Sequence, residues 1–189
     1  DALAIRTFSQ RELEEYAEWS TIPVINALTD LEHPCQALAD YLTIQEKFGT
    51  LKGINLSYIG DGNNVANSLM LCGTILGVNV RICSPHGFEP DPKLIEKAKS
   101  LSENGSKISI CNDPLTAVKE AHVLYTDVWS SMGQEEEQIK RKEIFEKYKL
   151  DQKLIDLAND DVILLHCLPA HRGEEITEEA LESKKSYVF

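Results

Sequence analysis

The residues best equipped for chemistry stand in four short clusters and one isolated position. His166-Cys167-Leu168-Pro169 closes an apolar run with an imidazole and a thiol. A Cys–His nucleophile pair is one use of them, but neighbouring residues of a strand point to opposite faces, so the two do not readily meet. His166, Cys167 and His171 as zinc ligands match no common spacing and lack a fourth ligand, so no metal is expected. Packing of Cys167 as a small hydrophobe is the third reading. In Asp127-Val128-Trp129-Ser130-Ser131-Met132-Gly133 a carboxylate is followed four residues on by a hydroxyl, a pairing that could hold an ammonium group. The alternative is a turn aspartate and a serine cap for the acidic helix opening at Gln134-Glu135-Glu136-Glu137.

Gly60-Asp61-Gly62-Asn63-Asn64 invites a dinucleotide reading, which its surroundings weaken. The third glycine position is Val65, and Val80-Arg81-Ile82-Cys83-Ser84 lacks the acid that would take a ribose hydroxyl. Nicotinamide is therefore not the expected ligand. Asn63 and Asn64 at a helix N-terminus suit a carboxylate or other anion, and Asn64 as a plain N-cap is the alternative. In His33-Pro34-Cys35-Gln36, Pro34 fits the first helical position, His33 the cap and Gln36 the first turn. Imidazole, amide and helix N-terminus together cradle a carbonyl or phosphate oxygen. Arg6 taken alone reads as a surface charge.

The elements that must position these groups alternate in type. A capping box at Ser9-Gln10-Arg11-Glu12 opens a helix to about Trp19. An apolar run from Pro23 to Leu28 leads to a helix from Pro34 to Phe48, closed by Gly49. Strands are expected at 54–59, 78–83, 107–111, 123–126 and 162–165, and helices at 65–76, 92–103, 114–121, 134–148, 152–158 and 178–183. Ser186-Tyr187-Val188-Phe189 reads as a further strand cut short. Apolar strands alternating with helices define an α/β fold, a doubly wound parallel sheet with helices on both faces. Residues 51–189 form this domain, and 1–50 form a helical segment belonging partly to a neighbouring domain. In such sheets ligands bind beyond the C-terminal strand ends. Three of the clusters, at 60–64, 127–133 and 166–169, fall at such ends and would share one rim.

Composition narrows the partners. Nineteen basic against 31 acidic residues give a net charge of −12 in 189 residues, which disfavours nucleic acid and anionic membrane surfaces. No apolar run reaches the roughly 20 residues of a bilayer span. Cys35, Cys72, Cys83, Cys111 and Cys167 are odd in number and form no C-x-x-C pair, which fits a reducing, cytoplasmic compartment.

In this order the motifs resemble the aspartate/ornithine carbamoyltransferase family, over essentially the whole chain. The matching residues run from Asp1–Arg6 through Pro23-Val24-Ile25-Asn26, His33–Gln36, Gly60–Asn64 and Asp127–Gly133 to His166–Pro169. His-Pro-x-Gln marks carbamoyl phosphate binding, and the Ser-Met-Gly loop with His-Cys-Leu-Pro marks the ornithine branch. The resemblance implies a Rossmann-like ornithine-binding domain at 51–189, preceded by the end of a carbamoyl phosphate domain at 1–50. It also implies transfer of the carbamoyl group to the δ-amine of L-ornithine, giving citrulline and phosphate, without metal or organic cofactor.

By motif position, Arg6 and His33 polarise the carbamoyl oxygen and Gln36 holds the carbamoyl amine, with Pro34 and Cys35 completing that subsite. Asp127 and Ser131 take the ornithine α-amine, and Asn64 and the Met132 backbone its carboxylate. Cys167 and the Leu168 backbone stand beside the δ-amine. The family's Ser-Thr-Arg-Thr phosphate loop and the arginine-bearing segment beyond the last strand have no counterpart in this sequence. The chain is therefore expected to be a fragment with little or no turnover alone, cut from a homotrimeric parent. A sister enzyme for another amine and a non-catalytic amino-acid-binding module are the rival expectations.

Overall fold

The computed structural model describes residues 1–102, 105–130 and 138–189, with the side chain of residue 138 left out. Two parallel sheets organise these residues. The smaller pairs β1 (Leu3–Arg6) with β2 (Val24–Leu28), accompanied by α1 (Gln10–Trp19) and α2 (Pro34–Phe48). The larger contains β3 (Asn55–Ile59), β4 (Asn79–Cys83), β5 (Ile108–Cys111), β6 (Val123–Thr126) and β7 (Ile163–His166) in the order β5-β4-β3-β6-β7. Its helices are α3 (Asn64–Leu76), α4 (Pro92–Ser100), α5 (Pro114–Ala117), α6 (Gln138–Phe145), α7 (Gln152–Ile155) and α8 (Glu178–Leu181). Among the described residues no helix is long and apolar enough to cross a membrane.

Every residue of β6 and β7 is buried, because strand residues alternate between two faces that are both covered. Val123, Tyr125, Ile163 and Leu165 pack with α2 and α3 on one side. Leu124 and Leu164 pack with Phe145, Tyr148, Leu154 and Leu181 on the other. The doubly wound architecture follows directly from those apolar runs.

Several local expectations are corrected. Residues 1–50 are not simply helical, since β1 and β2 form a sheet of their own. The capping box at α1 is only half made: Ser9 Oγ accepts from the Glu12 N–H at 3.2 Å, while the Glu12 carboxylate takes the Thr7 hydroxyl at 2.6 Å. Residues 186–189 contribute a single bridge, Ser186 to Leu164, rather than a strand. The short helices α5, α7 and α8 stop before their apolar pattern does.

Helix α3 also joins the two parts through side chains that bind main-chain atoms. Asn64 Nδ2 donates to the Thr29 carbonyl at 2.7 Å, Asn67 Nδ2 donates to the Leu31 carbonyl at 3.0 Å, and Ser68 Oγ accepts from the His33 N–H at 2.6 Å. One turn on, Gly73 lets α3 approach α2 and β4. A Cβ there would lie 2.2 Å from Tyr41 Oη and 2.7 Å from Val80 Cγ2, and Tyr41 is pinned by its bond to the Leu69 carbonyl. Gly73→Ala gains about 1 kcal/mol of helix propensity but overpacks a rigid contact at a cost of about 1–3 kcal/mol or more. A lower urea midpoint is expected. An unchanged or higher midpoint would show that the contact relaxes freely.

Candidate active site

The chain runs outward from β3 through β4 to β5, then returns to the other side of β3 for β6 and β7. The switch point therefore lies between β3 and β6, the place where doubly wound sheets generally bind their ligands. Asp127 leaves the end of β6, Asn63 ends the β3 loop, and Cys167 follows the last residue of β7.

These three side chains meet. Asn63 Nδ2 donates to Asp127 Oδ2 at 2.7 Å, while the Cys167 thiol and the Val128 N–H donate to Oδ1 at 3.0 and 2.8 Å. A carboxylate has about four lone-pair sites. Three donors leave Asp127, which is 6% exposed, room for one more, and a buried negative charge selects a cation. Asn63 takes the capping role that the sequence suggests for its neighbour. Its Oδ1 caps α3 by accepting from the Val65 and Ala66 N–H groups at 3.0 and 3.1 Å, and it also accepts from Tyr58 Oη at 3.3 Å. With the oxygen so engaged, the amide nitrogen must face Asp127. Its place just ahead of the first helical residue was the available signal, because capping belongs to that position. Asn64 is thus not the cap.

Burial, then the Asp127 charge, push the Cys167 thiol well above its ordinary value. It is a protonated donor to Asp127 rather than a thiolate nucleophile. His166 does not assist it. Its Nδ1 accepts from the Leu168 N–H at 2.9 Å, which places the ring proton on Nε2, facing Glu175 Oε1 at 3.2 Å. The donor atoms of Asp127, His166 and Cys167 lie within 4.8 Å of one another. With both imidazole nitrogens engaged and the thiol protonated, that set does not suit a metal. His171 groups instead with Glu174 and Glu175, where Lys142 already pairs with Glu174 at 2.6 Å. Leu168, at φ 57°, turns outward and is 39% exposed.

The N-terminal part supplies a second set. His33 stands at the N-cap of α2 with no side-chain cap bond, and Pro34 opens the helix. Burial, and then the charge of Arg6, hold the His33 imidazole below its usual value, against the opposing pull of Asp127. Its Nδ1 is buried without a hydrogen bond. Arg6, at the end of β1, is exposed. Cys35 is turned away, its thiol donating to the Asn26 carbonyl at 3.3 Å. Gln36 Nε2 donates to Asp40 Oδ1 at 3.0 Å. Ser131 and Met132 lie outside the described residues.

Gly62 has a structural reason unrelated to pyrophosphate: a Cβ there would sit 2.3 Å from the Pro90 nitrogen, so the loop at 88–90 needs the glycine. Behind it, Arg141 Nη1 donates to Asp61 Oδ2 at 2.7 Å and to the Trp129 carbonyl at 2.8 Å. Its guanidinium lies 4.9 Å from the centre of the Phe88 ring. This clamp ties the β3 loop to the segment that follows β6.

The fold is a doubly wound α/β sheet with a carboxylate–thiol pair, Asp127 and Cys167, at its switch point. A family profile described as the Asp/Orn binding domain of aspartate/ornithine carbamoyltransferase matches residues 52–189, and one described as its carbamoyl-P binding domain matches 1–46. The chain belongs to the aspartate/ornithine carbamoyltransferase family. It is 66% identical over 189 residues to an ornithine carbamoyltransferase of Prochlorococcus marinus, covering 100% of this chain and 59% of that protein. It is 58% identical to one from Trichormus variabilis, covering 100% and 62%. Among solved structures, the ornithine carbamoyltransferase of Pyrococcus furiosus superposes with a TM-score of 0.96 at 49% identity, covering 100% of this chain and 60% of that one. That of Gloeobacter violaceus gives 0.93 at 50%, covering 100% and 63%. The chain thus spans about three-fifths of the length of the relatives it matches.

Proposed function

We propose that the chain is the amino-acid-binding part of a cytoplasmic ornithine carbamoyltransferase, residues 51–189, joined to the end of its carbamoyl phosphate part, residues 1–50. The observation that carries this reading is Asp127, a buried carboxylate with three donors already in place and one site left for an ammonium group. Ser131 shares that ammonium, and Asn64 with the Met132 backbone takes the α-carboxylate. Asn64 has one amide hydrogen committed to Thr29 and a second free to donate. Five free thiols suit the cytosol.

The reaction needs a neutral δ-amine to attack the carbamoyl carbon, giving a tetrahedral oxyanion that collapses with expulsion of phosphate; the departing phosphate takes the amine's surplus proton, and citrulline remains. His33, kept neutral by burial and Arg6, donates an N–H to the carbamoyl oxygen, and the Arg6 guanidinium opposes the developing charge. Donors of this kind contribute about 3–4 kcal/mol each to such transition states. Gln36 holds the carbamoyl amine, with Pro34 and Cys35 shaping the turn around it. The Leu168 carbonyl and Cys167 thiol flank the δ-amine, and the thiol's protonated state makes it an orienting group. No metal or organic cofactor enters these steps.

The test is citrulline formation by the complete enzyme containing this segment, given carbamoyl phosphate with ornithine or with putrescine. Turnover with ornithine is expected, from a homotrimer by light scattering, and the isolated 189-residue chain should give little. Preference for putrescine would move the protein to a sister activity. No turnover from a folded complete protein would leave an amino-acid-binding module.

A further inference from the structure

We propose that Asp40 is a positioning residue that fixes which end of the Gln36 amide faces the carbamoyl group, and so makes the site selective for a carbamoyl –NH2. The inference rests on the function proposed above. Gln36 and Asp40 lie one turn apart on α2, where residues four apart are neighbours. Asp40 is 5% exposed. Its Oδ1 accepts from Gln36 Nε2 at 3.0 Å, and its Oδ2 accepts from Tyr125 Oη at 2.9 Å. Tyr125 lies in β6, stacked on Tyr58 with ring centres 5.9 Å apart, so it cannot swing away. β6 is the strand that leads into Asp127.

An ionised carboxylate only accepts hydrogen bonds. It therefore compels Gln36 to turn its nitrogen inward and leaves Oε1 as the exposed end. An exposed acceptor matches the N–H donors of a carbamoyl group. It does not match the methyl group of an acetyl phosphate, nor the carbonyl end of either. A reversed amide would set oxygen against carboxylate and meet the carbamoyl –NH2 with donors of its own. A simple bracing role for Asp40 between α2 and β6 needs no such orientation.

The carboxyl is also placed to sense pH. Burial pushes it up to about 6, against the bonds from Tyr125 and Gln36 and the pull of His166. The other titratable groups it acts on are Tyr41, on its own helix, and Cys167, after β7. Protonation turns one of its oxygens into a donor and removes the constraint on Gln36.

The experiment uses the complete enzyme, with wild type, Asp40→Asn and Asp40→Leu assayed for citrulline between about pH 5.5 and 8.5. Asparagine can still offer an oxygen to Gln36 while its nitrogen donates to Tyr125 Oη. Asp40→Asn is therefore expected to hold KM for carbamoyl phosphate within about threefold of wild type at about pH 8, and to lose the wild-type rise in that KM below about pH 6. Asp40→Leu, which leaves Gln36 free, is expected to raise that KM about tenfold or more. KM for ornithine should stay within about twofold, and discrimination against acetyl phosphate should narrow. Parallel changes in both KM values, or a pH limb that survives in Asp40→Asn, would overturn the proposal while the function stands. If Asp40→Leu does not fold, the Asp40→Asn pH profile alone decides. A wild type that makes no citrulline overturns the functional reading, and this inference with it.

Discussion

Asp127→Asn in the complete enzyme is expected to lower kcat/KM for ornithine by about 100- to 1,000-fold, the cost of removing one partner of a buried, hydrogen-bonded charge pair. Affinity for carbamoyl phosphate should be nearly unchanged. An asparagine cannot satisfy the three donors that converge on this position. Whichever way its amide turns, an –NH2 meets Asn63 Nδ2 on one side, or Cys167 and the Val128 N–H on the other. On the proposed function, the ornithine ammonium would lose its counter-charge as well. Steady-state kinetics with each substrate varied, beside equilibrium binding of carbamoyl phosphate, separates the two effects. Equal losses for both substrates would remove Asp127 from the ornithine subsite. A secondary change has a definite sign: the Asp127 charge supports protonation of His33, so the variant's His33 should titrate lower still.

Asp61→Ala is expected to cost about 1–3 kcal/mol of folding stability, because it removes an acidic hydrogen-bond partner of a buried guanidinium. Arg141 and Asp61 are 7% and 9% exposed, and the bond between them is 2.7 Å. Burial nevertheless raises the Asp61 carboxyl above its usual range, outweighing the opposing pull of Arg141. The folded state therefore binds that proton more readily than the unfolded chain does. This group's contribution to stability is present below the unfolded value and is lost as pH rises through the folded one. At neutral pH the pair is thus no large source of stability by itself, and its worth lies in each partner satisfying the other. Asp61→Leu with Arg141→Met should accordingly be much less damaging than Asp61→Ala alone. Urea denaturation of wild type and the two variants tests both statements, and an Asp61→Ala loss under about 1 kcal/mol would refute the first.

The sheet was legible because burial on both faces writes itself as apolar runs, and because proline and glycine punctuate the helix ends. Helix α2 begins at Pro34 and ends before Gly49 as its residues require. β1 left no comparable trace: Leu3–Arg6 is largely exposed, and its strand form comes from pairing with residues about 20 positions away. The strand-end rule set Asp127 and Cys167 on one rim, where their side chains meet. It could not separate Asn63 from Asn64, since one step of register decides which caps the helix and which reaches Thr29. Asp40 was invisible for a different reason. A mid-helix aspartate reads as solvated until Tyr125, 85 residues on, closes over it. The Asp61–Arg141 clamp, spanning 80 residues, hides in the same way.

The joint between α3 and the turn at 29–33 has a consequence for how this protein tolerates change. Asn64, Asn67 and Ser68 grip peptide groups, not side chains. They are indifferent to what residues 31 and 32 carry, provided the backbone keeps its path. The helix side has no such latitude, because one added methylene at position 67 would push its amide past the carbonyl it serves. Residues 31 and 32 can thus change side chain without loosening the seam, whereas 64, 67 and 68 cannot. The grip between the two parts therefore depends on the path of the turn's backbone and on three side chains of one helix.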